Sequence, residues 1–254
     1  MQPVDSSRVD RAAAMLMAVR LGGAVARSLG DAAPANEAEA WAVQREVLRR
    51  RQGRIGGYKC ATPPGKAPSG ALLPAAGIKA APTRWPVTAG TRIGIETEVA
   101  FRMARALPPR GTPYSQADVV DAVAGCFPAI EMVISRYADH SAVSPMEAMA
   151  DNIAHEGLVC GADVPNWRNL NLNDLRVRQT CGGAVQVEKR GSNPAGDPLL
   201  SLTRIANHLH EFGQHLEAGQ VVTTGSWTGL LFVAGGQRVT GGFDGLGEVV
   251  IDLG

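Results

Sequence analysis

Helical periodicity is concentrated near the start of this 254-residue chain, and the strand-like runs that follow do not alternate regularly with helices. Residues 9–29 and 36–51 carry the first two helical patterns. The second begins at Asn36, and Glu39 three residues later completes a capping-box pattern. Because a doubly wound parallel sheet needs regular strand–helix alternation, the element order favours an α+β fold.

Strand patterns cover residues 95–103, 129–137, 175–187, 221–225 and 249–253, and residues 62–73 predict a loop rich in Pro, Gly and Ala. Further helices are expected over residues 118–124, 144–155 and 199–218. On the last of these, His208, His210 and His215 lie beside or opposite an apolar stripe, which predicts that they face solvent. We expect an N-terminal helical and lid segment over residues 1–88 and a β-rich core over residues 89–254, in one compact unit.

Charge is nearly balanced, with 25 Lys and Arg against 24 Asp and Glu and a formal net charge of +1 at pH 7. That balance does not support a large basic surface for nucleic acid or for an acidic bilayer, so we expect a small-molecule partner. No apolar run approaches the roughly 18 residues of a membrane-spanning helix. Four widely spaced cysteines predict buried, reduced thiols. Together these features predict a soluble, cytoplasmic protein.

Three glutamates in apolar, strand-like segments form the candidate chemical site. Strand alternation in the run IETEVAF places Glu96 and Glu98 on one face, about 7 Å apart along the chain. Glu131 lies alone in the apolar run AIEMVI, where an unpaired carboxylate would become protonated or destabilise the fold. Its partner is then a cation, with Arg102 and Arg136 as candidates, or a metal ion. Three carboxylates around one point favour a hard ion, Mg²⁺ or Mn²⁺.

Five stretches of the chain resemble, in order and in spacing, the 2-keto-4-pentenoate hydratase and 4-oxalocrotonate decarboxylase group of the fumarylacetoacetate hydrolase superfamily. The resemblance covers most of the chain from about the second helix onward, and the pairing of E-x-E with A-I-E is specific to that branch. It implies a mixed β-roll whose core holds one Mg²⁺ or Mn²⁺ through Glu96, Glu98 and Glu131. The stretches are GGYK (56–59), IETEVAF (95–101), PAIEMVISR (128–136), ADN (150–152) and GQVVTTGS (219–226).

The resemblance also implies roles for residues beyond the three acids. Lys59, in the GYK motif, is expected to reach into the site as a proton-transfer or electrostatic group, although a surface lysine fits the sequence as well. Asn152, Gly225 and Ser226 are expected to bind substrate. For Ser226 a simple turn is an equally good interpretation.

Two departures from the family pattern concern acid–base chemistry. Many members carry the motif P-D-[FY]-G after the lysine, and this chain has APSGAL instead. Ser69 therefore stands in the place of the aspartate, where it can hydrogen-bond water or substrate but is not a comparable base. His155 is the candidate replacement acid–base group, or else a histidine at the flank of a helix.

The implied activity is that of a hydratase, a lyase that adds water to a small 2-hydroxydienoic or 2-oxo-enoic acid and gives a 4-hydroxy-2-oxo acid in aromatic-compound catabolism. The alternatives are a 2-oxo acid decarboxylase or tautomerase on the same metal site. A non-catalytic ligand-binding homologue is a third possibility, which the missing aspartate motivates. Superfamily members assemble into dimers or larger rings, so the resemblance also implies a homo-oligomer.

Overall fold

The computed structural model of the protein describes residues 3–62, 65, 67–88 and 90–254. The α-helices in that part of the chain are α1 (Ser6–Arg20), α2 (Glu37–Arg50), α3 (Gln116–Asp121), α4 (Pro145–Ala150) and α5 (Pro198–His208). The strands are β1 (Ile55–Ala61), β2 (Ser69–Pro74), β3 (Ile78–Ala80), β4 (Thr83–Trp85), β5 (Arg92–Met103), β6 (Val123–Val133), β7 (His155–Cys160), β8 (Arg176–Cys181), β9 (Ala184–Arg190), β10 (Val221–Ser226), β11 (Leu231–Ala234), β12 (Arg238–Phe243) and β13 (Gly247–Leu253).

The strands form two mixed sheets. The larger has the order β2-β1-β10-β5-β6-β7-β3, and β11 pairs with the first part of β5. The smaller has the order β4-β13-β12-β8-β9. Most neighbours are antiparallel, whereas β1–β10, β3–β7 and β4–β13 are parallel. This pairing confirms the predicted α+β fold. Strands from residues 55–85 lie in both sheets, so the expected N-terminal segment shares its sheets with the rest of the chain.

An apolar layer between the two sheets determines which face of β5 is available for chemistry. Ile95 and Ile130 of the larger sheet are buried in one cluster with Val249 and Ile251 of the smaller sheet. Because side chains alternate along a strand, the residues between these apolar positions on β5 and β6 project to the opposite face. That face carries the glutamates singled out in the sequence.

The N-terminal helices are joined to the larger sheet by buried polar contacts. Gln44 of α2 donates from Nε2 to the carbonyl of Met149 at 2.7 Å, and its Oε1 accepts from the amide of Leu72 at 2.9 Å. Arg20, at the end of α1, pairs with the fully buried Asp151 at 3.2 Å. The helices thereby contact β2 and the segment that follows α4. Nowhere in the described residues is a helix both long enough and apolar enough to cross a bilayer.

The segment before β3 and the segment after α4 differ from the sequence predictions. Residues 69–73 of the predicted loop belong to β2, which pairs with β1. Residues 63, 64 and 66 of that loop lie outside the described residues. The helix predicted over residues 144–155 ends at Ala150, and His155 begins β7. His155 directly follows the short 3₁₀ segment Asn152–Ala154 and is buried at the start of its strand.

Two further predictions change in the second half of the chain. Residues 175–187 form two strands because Gly182 and Gly183, with φ of 56° and 84°, reverse the chain between β8 and β9. The helix expected over residues 199–218 ends at His208, which is buried, and its Nε2 lies 2.7 Å from Glu37 Oε1. His208 therefore does not face solvent, because it pairs with a carboxylate from α2.

Candidate active site

Three carboxylates meet on the face of the larger sheet that points away from the smaller one. The register of β5 and β6 places Glu96 directly opposite Glu131, and Glu98 lies two residues further along β5, opposite Ser226 of β10. Each of the three glutamates offers one oxygen that lies within 4.8 Å of those of the other two. The structure thus brings together the three acids that the sequence predicts to converge.

Burial makes the negative charge of this cluster costly. Glu131 and Glu98 are buried, and Glu96 is partly buried. Burial, followed by repulsion from Glu131 and Glu96, raises the pKa of Glu98 to about 8. Burial and the charge of Glu131 also raise the pKa of Glu96. Since a divalent cation would replace this repulsion by attraction, the all-oxygen donor set fits a hard metal ion.

Glu131 has two partners that share one of its oxygens. Lys59 Nζ donates to Oε1 at 2.5 Å, and His155 Nδ1 lies 2.9 Å from the same atom. Burial alone would raise the pKa of Glu131, but Lys59 and then His155 outweigh it and lower that pKa. The other oxygen, Oε2, is buried without a hydrogen-bond partner among the described residues. A buried unpaired carboxylate oxygen is unfavourable unless a ligand completes it, so Glu131 Oε2 fits a metal ligand.

Lys59 supplies the buried positive charge beside the cluster. Its strand, β1, runs parallel to β10 and places Lys59 beside Thr223. The side chain is largely inaccessible to solvent, so it is not a surface lysine. Burial alone would lower its pKa, but the negative charges, with Glu131 the strongest, hold the pKa above the usual value. The amine therefore remains an ammonium group at neutral pH.

His155 reaches the same carboxylate from the start of β7. It is only 3% exposed, and burial lowers its pKa below the usual value in spite of the contact with Glu131. Its Nε2 is buried without a hydrogen-bond partner among the described residues.

The two arginines that the sequence offers as partners of Glu131 pair with other acids. Arg102 contacts Asp163, and Arg136 contacts Asp151 and Glu156.

A left-handed turn joins α4 to β7 beside the acids. Asn152, Ile153 and Ala154 have φ of 56°, 50° and 58°, a conformation that costs roughly 1–3 kcal/mol for each residue with a Cβ. Asn152 Nδ2 donates to the carbonyl of Leu72 at 2.7 Å, and the carbonyl of Ile153 accepts from Lys59 Nζ at 3.3 Å. The side-chain amide of Asn152 is therefore hydrogen-bonded to β2, and the backbone carbonyl of Ile153 helps to fix the position of the Lys59 ammonium group.

Gly225 and Ser226 contact the acids directly. The amide of Gly225, which has φ of 99°, donates to Glu98 Oε2 at 2.9 Å. A hydrogen bond from the Ser226 side chain to Glu96 opposes the rise in the pKa of that carboxyl. Ser69 lies on β2 and is not among the described residues that line the cavity next to Lys59 and Glu96.

That cavity has a volume of about 680 Å³ and is lined by both Lys59 and Glu96, a size typical of small-molecule sites. Its lining also includes three apolar side chains that are 41%, 44% and 53% exposed, namely Ile134, Leu230 and Phe232. Arg92 also lines the cavity and was not among the predicted site residues. The strand alternation that places Glu96 and Glu98 on one face of β5 also places Arg92 on that face, so the sequence contained the signal.

Residues 60–253 match the sequence model of the family described as fumarylacetoacetate (FAA) hydrolase, C-terminal. The chain belongs to this family. Among curated proteins similar to this FAA hydrolase family member, 4-oxalocrotonate decarboxylase from Pseudomonas putida is 32% identical, and 2-keto-4-pentenoate hydratase from Paraburkholderia phymatum is 28% identical. Each alignment covers 155 residues, which are 61% of this chain and 58% of the relative. The matched region thus spans a little more than half the length of these relatives.

Solved structures resemble this FAA hydrolase chain over a longer region. The structure of 4-oxalocrotonate decarboxylase from Pseudomonas putida G7, complexed with magnesium and adipate, is 25% identical, covers 97% of each chain and has a TM-score of 0.83. Fumarylpyruvate hydrolase from Pseudomonas aeruginosa, in complex with Mn²⁺ and pyruvate, is 17% identical, covers 79% of this chain and 89% of its own, and has a TM-score of 0.57. The second likeness concerns the fold alone. The predicted family and fold are confirmed.

Proposed function

We propose that this protein is a divalent-metal-dependent hydratase that adds water to a small 2-hydroxydienoic or 2-oxo-enoic acid and gives a 4-hydroxy-2-oxo acid. The proposed ligands of Mg²⁺ or Mn²⁺ are Glu96, Glu98 and Glu131. The observation that carries the proposal is the difference between the two carboxylate oxygens of Glu131. Oε1 contacts both Lys59 and His155, whereas Oε2 is buried and has no hydrogen-bond partner among the described residues. Relatives named 2-keto-4-pentenoate hydratase and 2-hydroxyhexa-2,4-dienoate hydratase support this activity.

The chain's own residues supply connected proton carriers at the cavity. When bound, a divalent ion supplies a Lewis acid for the carboxylate and 2-oxo oxygens of such a substrate. Ketonisation of the dienol moves a proton from the 2-hydroxyl to the far carbon, and hydration then places a hydroxyl at C4 and a hydrogen at C3. Lys59 Nζ holds a proton at the cavity wall, and Glu131 Oε1 connects it to His155 Nδ1. We assign Lys59 and His155 the proton transfers.

Groups around the acids then position them. We propose that Gly225 and Ser226 orient Glu98 and Glu96, through the contacts that their amide and hydroxyl make with those carboxylates. Substrate binding by Asn152 and Ser69, expected from the sequence, has less support. The Asn152 amide is bound to the Leu72 carbonyl, and Ser69 does not belong to the described cavity lining.

A 2-oxo acid decarboxylase is the second candidate. The relative from Pseudomonas putida that is 32% identical, and the structure that matches 97% of this chain, both carry the name 4-oxalocrotonate decarboxylase. Decarboxylation would use the same acids and Lys59, and it would release CO₂ instead of consuming water. The two activities are therefore separated by their products.

Product analysis tests the proposal. With Mg²⁺ or Mn²⁺ and 2-hydroxypenta-2,4-dienoate, we expect the dienol absorbance to disappear and 4-hydroxy-2-oxopentanoate to form. Lys59→Met should abolish this reaction, whereas Lys79→Met, on β3 outside the described cavity lining, should retain it. CO₂ release from a 2-oxo-enedioic acid, without hydration of either acid, would establish the decarboxylase instead. No reaction with any of these acids would favour the non-catalytic homologue.

A separate variant tests the proton-transfer role of His155. Asparagine at this position keeps a donor close to Glu131 Oε1 but cannot exchange a proton, so His155→Asn should lower kcat by about a hundredfold. Full activity of this variant would exclude His155 from the mechanism.

We further propose a homo-oligomer that acts in the cytoplasm in aromatic-compound catabolism, and light scattering of the purified protein would measure its subunit number.

A further inference from the structure

We propose that Arg92 binds a second carboxylate at the far end of the substrate, so that the preferred substrates are dicarboxylic 2-oxo acids. This inference rests on the proposed function, because it places the 2-oxo acid end of the substrate at the three glutamates. At the opposite end of the cavity, Arg92 would then discriminate between 2-oxo acids that carry a distal carboxylate and those that do not.

The position of Arg92 on β5 is the first argument. Strand alternation puts Arg92, Gly94, Glu96 and Glu98 on the same face, and both Arg92 and Glu96 line the cavity. Four residues of an extended strand separate the Cα atoms of Arg92 and Glu96 by about 13 Å. A spacing of this order suits a short diacid that places one carboxylate at each end.

An apolar side chain covers the strand between Arg92 and Glu96. Gly94 has no side chain there, and Leu230 covers it so closely that a Cβ on Gly94 would lie 2.6 Å from Leu230 Cδ1. Leu230, Ile134 and Phe232 are all partly exposed and line the same cavity. An apolar middle between a cationic end and a metal-binding end matches a diacid, whose hydrocarbon chain separates two carboxylates.

The guanidinium of Arg92 is oriented and has donors left for a ligand. Its Nη2 donates to the carbonyl of Phe232 at 2.9 Å, and the group lies 5.9 Å from the centre of the Phe232 ring. Of the two acids in the described lining, Glu96 belongs to the metal cluster, and Asp139 Oδ1 already accepts from the Ser141 amide and hydroxyl. A guanidinium presents five N–H donors in a fork that matches a carboxylate.

Two matched ligands test the assignment by calorimetry on Mg²⁺-loaded protein. 2-Oxohexanedioate and 2-oxohexanoate share the metal-chelating end and differ only in the distal carboxylate. We expect the wild type to bind the diacid about five- to tenfold more tightly. In Arg92→Met the two affinities should agree within about twofold while the affinity for 2-oxohexanoate is retained. The control Arg190→Met removes an exposed arginine of β9 that pairs with Asp174 and should keep the full preference.

The outcomes separate this inference from the proposed function. Equal affinities in the wild type, or an unchanged preference in Arg92→Met, would overturn the role of Arg92 and leave the metal-dependent function standing. If neither ligand binds the loaded protein, the proposed function fails and the assignment fails with it. In turnover of a diacid, Arg92→Met should raise KM and keep kcat, as expected for a residue that binds the unreactive end of a substrate.

Discussion

Replacement of Glu98 by glutamine should stabilise the metal-free protein while it weakens metal binding. Burial, then repulsion from Glu131 and Glu96, raises the pKa of Glu98 from 4.5 to about 8. An acid whose pKa rises on folding destabilises the protein increasingly as pH rises from the unfolded toward the folded pKa. At pH 7 this cost is about 3 kcal/mol, since each pH unit above 4.5 contributes about 1.4 kcal/mol. Glutamine keeps an acceptor for the Gly225 amide and removes the charge.

Urea unfolding with a chelator present, at pH 5 and pH 7, measures the first effect. The free energy of unfolding of Glu98→Gln should exceed that of the wild type by about 3 kcal/mol at pH 7 and by only about 1 kcal/mol at pH 5. Titration calorimetry should show Mn²⁺ affinity weaker by about tenfold or more. Glu248→Gln, which changes an exposed glutamate of β13, should alter neither quantity. A metal-free variant less stable than the wild type, or one with wild-type Mn²⁺ affinity, would refute the reasoning.

Two further changes test the framework around the site. Burial alone would lower the pKa of His208, but the contact with Glu37 outweighs burial and raises that pKa. The protonated histidine therefore stabilises the fold at low pH. The melting temperatures of the wild type and His208→Gln should differ most below pH 6.5 and converge as pH rises through the pKa of the folded state. Gly57→Ala would drive a Cβ into the carbonyl of Val221, so circular dichroism should show loss of the fold.

The convergence of the acids was predictable because strand alternation is a local property. Glu96 and Glu98 share a face of β5 for that reason alone, and the apolar neighbours of Glu131 indicate a buried strand without any knowledge of the fold. The register that sets Glu131 opposite Glu96 depends on the pairing of β5 with β6, which no local pattern specifies. The need of a buried Glu131 for a cation grouped it with Glu96 and Glu98 in advance, and the family resemblance supported that grouping, but neither argument specified the register.

The partners of Glu131 were not predictable in the same way. Lys59 lies 72 residues from Glu131 along the chain, and the candidates drawn from neighbouring sequence, Arg102 and Arg136, pair with other acids. The helical pattern around residue 150 continues toward His155, yet the chain turns left-handed before it. Ile153 sits in that turn because long-range contacts outweigh the preference of a β-branched residue for negative φ.

The parallel pairing of β1 with β10 has a consequence for how the site comes into existence. Lys59 is held beside Thr223, so the strand that carries the ammonium group is enclosed in the larger sheet only after nearly the whole chain is available. Pairings of such high contact order form slowly, because the entropy of closing a long loop is lost before the contacts repay it. During synthesis the three acids on β5 and β6 would therefore come together before their lysine does, and a bound cation at that stage would act as a folding ligand.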